Sequence, residues 1–238
     1  MNKKQLFLLH FAGGSIYSFE FLRSLCTDFE MIPLELPGRG KRIKEKLLTS
    51  YPDAIKDLFS QITDKLNGSP FIVYGHSLGS SLGLGVTDLL EKNNTPPQCL
   101  IVSGNAGPGI ATENNRSDLE RDDFISMLTE LGGIPDELLK SKELLDFVLP
   151  ILKADFKIVE EDFFIENTIV KAPIVAIMGN SEKYVDRINN WRKHTFSGFN
   201  SYVLKGNHFF ILDYGDKLKE IFDISFKECT SLNYNNVQ

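Results

Sequence analysis

A serine between two glycines is the first feature of this sequence that could carry out chemistry. The segment Gly75-His76-Ser77-Leu78-Gly79 follows the apolar run Phe71–Tyr74 and precedes a run of small residues that a helix tolerates well. A G-x-S-x-G pattern at a strand-to-helix junction is typical of a nucleophile elbow, in which the glycines relieve crowding and the serine adopts a strained conformation. We therefore predict that Ser77 is a nucleophile whose hydroxyl is accessible at the N-terminus of the next helix.

A serine hydroxyl needs a base that accepts its proton, and His208 is the best placed histidine. It lies in "LKGNHFFIL", directly after the last predicted strand, and in this type of site the base follows the nucleophile and the acid in chain order. His76 is too close in sequence to fold back onto Ser77. His194 ends a charged helical segment, and His10 lies in the first predicted strand. We predict His208 as the base and assign structural or surface positions to His76 and His194.

The acid that orients the imidazole has two candidates. It should follow a strand that lies between Ser77 and His208 in the chain. The predicted strand Pro173–Met178 is followed by "GNSEKYVD", which places Glu182 in the loop and Asp186 at the start of a helical segment. An N-cap is an ordinary role for Asp186, and glutamate can orient a histidine as aspartate does. Glu182 is therefore the first candidate and Asp186 the alternative.

Two backbone N–H groups are expected to stabilise the oxyanion of the reaction. The Leu78 N–H lies beside Ser77 at the N-terminus of the predicted helix. The second donor should come from the loop after the first strand, "LLHFAGGS", where two glycines let N–H groups turn toward the serine. We predict the N–H of Phe11 as this donor, with Ala12 as the neighbouring alternative.

Short apolar runs and amphipathic segments alternate along the chain and must position these residues. The strand candidates are Gln5–His10, Met31–Leu36, Phe71–Tyr74, Cys99–Ser103, Pro173–Met178 and Tyr202–Leu204. The helix candidates are Ser18–Cys26, Pro52–Leu66, Ser77–Glu91, Asp186–Lys193 and Lys217–Phe226. This alternation indicates an α/β fold with a mostly parallel central sheet covered by helices on both faces.

The alternation breaks between about residues 106 and 170, which have helical patterns and no good strand candidate. We predict a helical insertion there, within a single domain that spans residues 1–238. The insertion is unusually apolar through Leu144, Leu145, Phe147, Val148, Leu149, Ile151, Leu152, Phe156, Phe163 and Phe164. Helix–helix packing would explain this composition, and so would a lid that lines a channel for an apolar chain.

Composition and charge limit the classes of function. The chain has 238 residues, 42% of them hydrophobic, and a net charge of −6, which suit one large domain and argue against a nucleic-acid-binding face. Cys26, Cys99 and Cys229 have no metal-binding spacing, so we expect free thiols in a reducing cytoplasm. No run approaches the ~18 apolar residues of a membrane span, and we expect a soluble protein. The basic segment at residues 38–46, "GRGKRIKEK", is either a solvated loop or a contact for a phosphate or acidic partner.

Several ordered segments together resemble the type II (external, editing) thioesterases of nonribosomal peptide and polyketide synthesis. "LLHFAGGS" is similar to the family's F-P-[HF]-A-G-G-S loop, "ELPGRGKR" to its P-G-R-G-x-R segment and "YGHSLGS" to its G-H-S-[ML]-G elbow. "LTELGGIPDELL", "LPILKADFKIVE" and "GNHFFI" resemble its lid segments and histidine loop. Glu182 stands where the family's G-x-x-D segment has aspartate, and His10 stands where the family usually has proline.

The resemblance implies an α/β-hydrolase that removes acyl or aminoacyl groups from the phosphopantetheine arm of carrier proteins, with Ser77 as nucleophile and His208 as base. An acyl or peptidyl carrier protein would be its partner. We expect a monomer with no metal or cofactor and no nucleic-acid or membrane partner. A medium-chain fatty acyl thioesterase or a general carboxylesterase would use the same chemistry, whereas a non-catalytic binding module would be expected to lose the nucleophile or the base.

Overall fold

A computed structural model describes residues 2–110, 115–131 and 139–235 of the chain. The strands are β1 (Lys4–Leu9), β2 (Phe29–Pro33), β3 (Phe71–His76), β4 (Cys99–Ser103), β5 (Ile174–Gly179) and β6 (Phe199–Leu204). The described α-helices are α1 (Tyr51–Thr63), α2 (Leu78–Lys92), α3 (Arg121–Glu130), α4 (Lys142–Val159) and α5 (Gly215–Asn235). Short 3-10 helices cover Glu20–Leu22, Gly40–Arg42, Asp162–Ile165, Val185–His194 and Phe210–Asp213.

The strands form one sheet in the order β2-β1-β3-β4-β5-β6, and each pair of neighbours is parallel. This arrangement confirms the predicted α/β class. The chain passes from β1 to β2 on one side and then returns to place β3 on the other side of β1. Ligands of open parallel sheets bind beyond the carboxyl ends of the strands at such a switch point. The loops after β1 and β3, which carry Phe11 and Ser77, meet there.

Side chains of each strand alternate between two cores, one on each face of the sheet. In β1, Leu6 and Leu8 belong to the core under α5, whereas Phe7 and Leu9 belong to the core under α1 and α2. Because the central parallel strands β3, β4 and β5 are buried on both faces, their sequences are largely apolar runs. Each predicted strand accordingly overlaps an observed one.

Two predicted helices differ from the structure. Ser18–Cys26 contains turns around one short 3-10 helix, and Asp186–Lys193 is 3-10 rather than α-helical. The second segment buries Ile188 and Trp191, which are three positions apart. A spacing of three brings side chains to one face in both kinds of helix, so the apolar pattern could not distinguish them.

Helices α3 and α4 lie in the segment that was predicted as an insertion. Their apolar side chains form a small core of Phe124, Leu128, Leu145, Leu149, Leu152 and Phe156. Ala12, from the loop after β1, packs against this core. Packing therefore accounts for much of the apolar composition, although Leu144 and Phe147 remain 49% and 55% exposed. Parts of the insertion, residues 111–114 and 132–138, lie outside the described residues, as do the side chains of Phe163 and Cys229.

The basic segment at residues 38–46 is not one solvated surface. Arg39 is buried against Asp155 of α4, and Arg42 forms ion pairs with two nearby carboxylates. The interpretation of the whole segment as an exposed cluster is therefore wrong for Arg39, because its charge partner lies far away in sequence. The exposed cations of the segment are Lys41, Lys44 and Lys46.

Among the described residues, the helices lack the combination of length and apolar character that crossing a membrane requires. Cys26 and Cys99 are both buried, in the core under α5. Burial raises the pKa of the Cys26 thiol to about 11, so this thiol stays protonated at neutral pH.

Candidate active site

Ser77 occupies the turn between β3 and α2 with φ 56° and ψ −113°. Residues with a side chain rarely adopt this conformation, and the packed elements on both sides maintain it here. A Cβ atom on Gly75 would lie 2.0 Å from the Gly79 carbonyl oxygen, and one on Gly79 would lie 2.1 Å from the Leu9 carbonyl oxygen. The two glycines are therefore required where α2 crosses the ends of β1 and β3, and they place Ser77 at the carboxyl edge of the sheet.

The side chains of Ser77, His208 and Glu182 are in hydrogen-bonding contact. His208 Nε2 lies 2.9 Å from Ser77 Oγ, and His208 Nδ1 lies 2.8 Å from Glu182 Oε2. Since an ionised carboxylate only accepts hydrogen bonds, Nδ1 carries the proton and Nε2 is left to accept the proton of the Ser77 hydroxyl. This arrangement is that of an acid, a base and a nucleophile in a hydrolase triad.

Of the two predicted acids, Glu182 is the one in contact with His208. Its Oε1 accepts the Gly179 N–H at 2.8 Å, and its own N–H donates to the Gly179 carbonyl at 3.1 Å, so the carboxylate is fixed at the end of β5. The Glu182 side chain is only 8% exposed. Asp186 is 72% exposed and lies beside Arg187, so its carboxylate is not part of this contact.

The loop after β1 is held by its own hydrogen bonds. The Phe11 carbonyl accepts hydrogen bonds from the Gly14 N–H at 2.9 Å and from the His10 Nδ1–H at 2.8 Å. His10 Nε2 accepts the Leu36 N–H at 3.4 Å, which assigns the proton of this neutral ring to Nδ1. Burial, with the nearby charge of Arg39, lowers the pKa of His10 to about 4. A neutral histidine thus fixes this loop where the family usually has proline.

The predicted oxyanion donors keep their N–H groups available. In residues 2–110, 115–131 and 139–235, no acceptor pairs with the N–H of Leu78 or of Phe11. The same holds for Ala12, whose neighbour Gly13 donates instead to Asp155. The hydrogen bonds leave the N–H groups of Leu78 and of both loop residues available, so the choice between Phe11 and Ala12 stays a prediction.

A buried polar chain under His208 was not predicted. The His76 Nδ1 lies 2.8 Å from Ser103 Oγ, which in turn lies 2.9 Å from the Tyr74 hydroxyl. The His76 ring is centred 5.1 Å from that of His208. Burial, and then the proximity of His208, holds the pKa of His76 well below its ordinary value, so His76 stays neutral. His76 and Ser103 each end an otherwise apolar strand, and these polar positions are the sequence feature from which the chain of contacts could have been predicted.

Asn105, which follows β4, connects the Ser77 turn to Trp191 in the 3-10 helix after β5. Its Nδ2 donates to Ser81 Oγ at 3.1 Å and reaches the Ser77 carbonyl at 3.4 Å. Its backbone carbonyl accepts the indole N–H of Trp191 at 2.7 Å. The fully buried indole is therefore linked to the candidate nucleophile through a single residue, Asn105, which contacts both.

Comparison with known proteins identifies the family of the chain. The family model described as "Thioesterase domain" matches residues 4–229. LgrE of Brevibacillus parabrevis, which bears the name linear gramicidin dehydrogenase, is 30% identical over 92% of this chain and 86% of its own. Thioesterase PikA5 of Streptomyces venezuelae is 27% identical over 87% of this chain and 74% of its own. The solved structure of YbtT, a type II thioesterase from the yersiniabactin NRPS/PKS pathway, is 25% identical with a TM-score of 0.86, over 96% of this chain and 94% of its own. The chain therefore belongs to the thioesterase domain family.

Proposed function

We propose that this protein is a serine hydrolase that releases acyl or aminoacyl groups from the phosphopantetheine arm of carrier proteins, as a type II thioesterase of nonribosomal peptide or polyketide synthesis. The observation that carries the proposal is the contact between Ser77, His208 and Glu182 in a chain of the thioesterase domain family. The description of YbtT supports the choice of pathway, and the name of PikA5 supports the thioesterase activity.

In the first half of the reaction, Ser77 Oγ attacks the thioester carbonyl carbon while His208 Nε2 takes the hydroxyl proton. Glu182 stabilises the imidazolium without becoming protonated itself. The N–H groups of Leu78 and Phe11 bind the oxyanion, and each such donor contributes roughly 3–4 kcal/mol to the transition state. The C–S bond then breaks, and the thiolate leaves readily because its conjugate thiol has a pKa of only about 8.5. The thiolate takes the proton from His208 Nε2, so the imidazole is neutral again for the second half.

In the second half, water attacks the acyl-Ser77 carbonyl. His208 takes a proton from that water and returns one to Ser77 Oγ as the carboxylic acid leaves. The reaction requires no metal or redox cofactor, since the imidazole and the backbone N–H groups supply the acid–base and electrostatic functions.

The insertion between β4 and β5 acts as the lid in this proposal, within a single cytoplasmic domain that works as a monomer. The exposed lysines near residue 42 and the outer apolar side of α4 are the candidate contacts for a carrier protein. Carrier proteins are commonly acidic and this chain is acidic overall, so docking depends on such local patches and not on net charge.

The name of LgrE suggests another reaction, but a site feature argues against it. The first βα turn of dinucleotide-binding folds carries a G-x-G-x-x-G fingerprint. Here β1 is followed by His10-Phe11-Ala12-Gly13-Gly14, which lacks that spacing. Hydrolysis therefore suits this loop better than hydride transfer.

The test of the proposed function compares three substrates: an acyl-carrier protein, the matching acyl-CoA and a p-nitrophenyl ester. We expect the highest kcat/KM for the acyl-carrier protein, and no turnover or fluorophosphonate labelling in Ser77→Ala. A strong preference for the oxygen ester would indicate a carboxylesterase, and a preference for acyl-CoA a fatty acyl thioesterase. Turnover by Ser77→Ala at the wild-type rate would end the serine mechanism.

Docking is tested separately with Lys41→Glu, Lys44→Glu and Lys46→Glu combined in one variant. We expect KM for the acyl-carrier protein to rise about tenfold, because attraction becomes repulsion, and KM for a small acyl thioester to stay unchanged. Lys3→Glu, compared with Lys41→Glu alone, is the control for one charge reversal, since Lys3 is exposed at the opposite end of the sheet. Equal effects on both substrates would exclude this surface. Arg42 is left intact because its ion pair with Asp57 supports the fold.

A further inference from the structure

A buried ion pair joins the insertion to the core of the protein. Arg39 Nη1 and Nη2 donate to Asp155 Oδ2 and Oδ1 at 2.6 and 2.7 Å. The two side chains are only 4% and 0% exposed. The attraction within a buried ion pair has to offset the free energy lost when both charges leave water, and a well-packed apolar pair of similar volume is often as stable. Stability alone therefore does not explain why charges stand here.

Both members of the pair also hold the loop that follows β1. Asp155 Oδ2 accepts the Gly13 N–H at 2.7 Å, and Arg39 Nη1 lies 3.4 Å from the Gly14 carbonyl oxygen. Gly13 has φ 75°, and a Cβ atom there would lie 2.6 Å from Leu152 Cδ2 of α4. The loop thus lies directly against α4, with its polar groups bound to the two charged side chains.

These bonds determine which N–H groups of the loop are left to act on a substrate. The Phe11 carbonyl is occupied by Gly14 and His10, and the Gly13 N–H is occupied by Asp155. The N–H groups of Phe11 and Ala12 keep no acceptor in the described part of the chain. They are also the predicted oxyanion donors.

We propose that Arg39 and Asp155 are positioning residues, which fix the oxyanion loop and make its geometry depend on the seating of α4. Since Asp155 lies on α4, a displacement of this helix would remove the acceptor of the Gly13 N–H and release the loop. The oxyanion site would then be complete only when the insertion is seated on the loop. This inference rests on the proposed function, because it takes the loop after β1 to bind the oxyanion.

The test removes both charges at once, because removing one leaves the other buried without a partner. The double variant Arg39→Met/Asp155→Leu retains apolar volume but has no acceptor for the Gly13 N–H. Turnover of a small acyl thioester is measured, together with inhibition by an alkylboronic acid, whose adduct with serine places an oxygen in the oxyanion site. The fraction of protein molecules with a reactive serine is measured from the end point of fluorophosphonate labelling. Asp57→Asn is the control, since it neutralises one partner of a similar two-bond contact with Arg42 that does not touch the loop.

We expect kcat per labelled site to fall roughly 10- to 100-fold, because the donor is displaced and not deleted. KM should stay within about twofold, and boronic acid binding should weaken by the same factor as kcat, whereas Asp57→Asn should change neither. The variant Arg39→Met/Asp155→Asn, which leaves no unpaired buried charge and keeps an acceptor oxygen for Gly13, should retain most of kcat. Unchanged kcat in the double variant, or a loss confined to the labelled fraction or to KM, would overturn the inference. If that occurs while Ser77→Ala is inactive, the positioning role fails and the serine mechanism stands.

Discussion

Replacing Glu182 by glutamine should inactivate the enzyme by changing which nitrogen of His208 carries the proton. Glu182 Oε1 accepts the Gly179 N–H, and Glu182 Oε2 faces His208 Nδ1, both at 2.8 Å. A glutamine in this place satisfies Gly179 only with its carbonyl oxygen, so its NH₂ group faces Nδ1. Nδ1 must then accept a hydrogen bond, the proton lies on Nε2, and the ring cannot take the proton of Ser77.

The size of the effect follows from this change of tautomer. The equivalent change in a serine protease lowers kcat about 10⁴-fold, which is about 5.4 kcal/mol of transition-state stabilisation. Glu182→Asp keeps the charge and accepts hydrogen bonds only, but it is one methylene too short to reach both Gly179 and His208. A displacement of about 1 Å costs roughly 10²-fold. Asp186→Asn should stay within about twofold of the wild type, since its carboxylate is 72% exposed and away from His208.

The assay is single-turnover and steady-state hydrolysis of an acyl thioester, paired with ¹⁵N NMR of the imidazole. We expect kcat in the order Asp186→Asn, then Glu182→Asp, then Glu182→Gln, with KM nearly constant. The spectrum should show the proton on Nδ1 in the wild type and on Nε2 in Glu182→Gln. A Glu182→Gln enzyme within tenfold of the wild type, or one that keeps its proton on Nδ1, would refute the reasoning.

Three further predictions concern stability. The pKa of His10 is about 4 in the folded state, against an ordinary value of 6.5, so between these values only the unfolded chain binds this proton. The free energy of unfolding therefore falls by about 3 kcal/mol as the pH falls through that window. Urea titrations from pH 7 to pH 4.5 should show a smaller fall for His10→Gln. In urea titrations, the free energy of unfolding of Ser77→Gly should exceed that of Ser77→Ala by about 1 kcal/mol, because glycine relieves the strain of φ 56°. The opposite order would mean that the elbow is unstrained. Gly79→Ala should cost more than about 3 kcal/mol or prevent folding, whereas Gly68→Ala, which has no atom within 4 Å of its added Cβ, should cost only about 1 kcal/mol.

Much of the site could be predicted because its signals are local. The apolar run before Ser77 and the small residues after it define the elbow. The chain order of nucleophile, acid and base, together with the loop position after the last strand, favours His208 over the other histidines. The choice between Glu182 and Asp186 needed coordinates. Both follow the same strand, and only the turn that returns Glu182 to Gly179 separates a buried carboxylate from an exposed one.

The support of the site could not be predicted in the same way. Arg39 and Asp155 are 116 positions apart, and the local sequence around either residue does not indicate the other as its partner. Arg39 lies among lysines, so local charge alone indicates a solvated segment, and its burial depends on where a distant helix packs. The 3-10 segments were missed for a related reason, since apolar spacing records which side chains are buried and not how tightly the backbone is wound.

The position of Trp191 gives the protein an intrinsic optical reporter. Trp191 is the only tryptophan of the chain, so the indole emission of the native protein comes from one site. The ring is fully buried and its N–H is bound to the Asn105 carbonyl, which belongs to the same residue that contacts Ser81 and Ser77. Unfolding transfers this ring to water and shifts its emission to the red, so the urea titrations proposed above can be followed without a label.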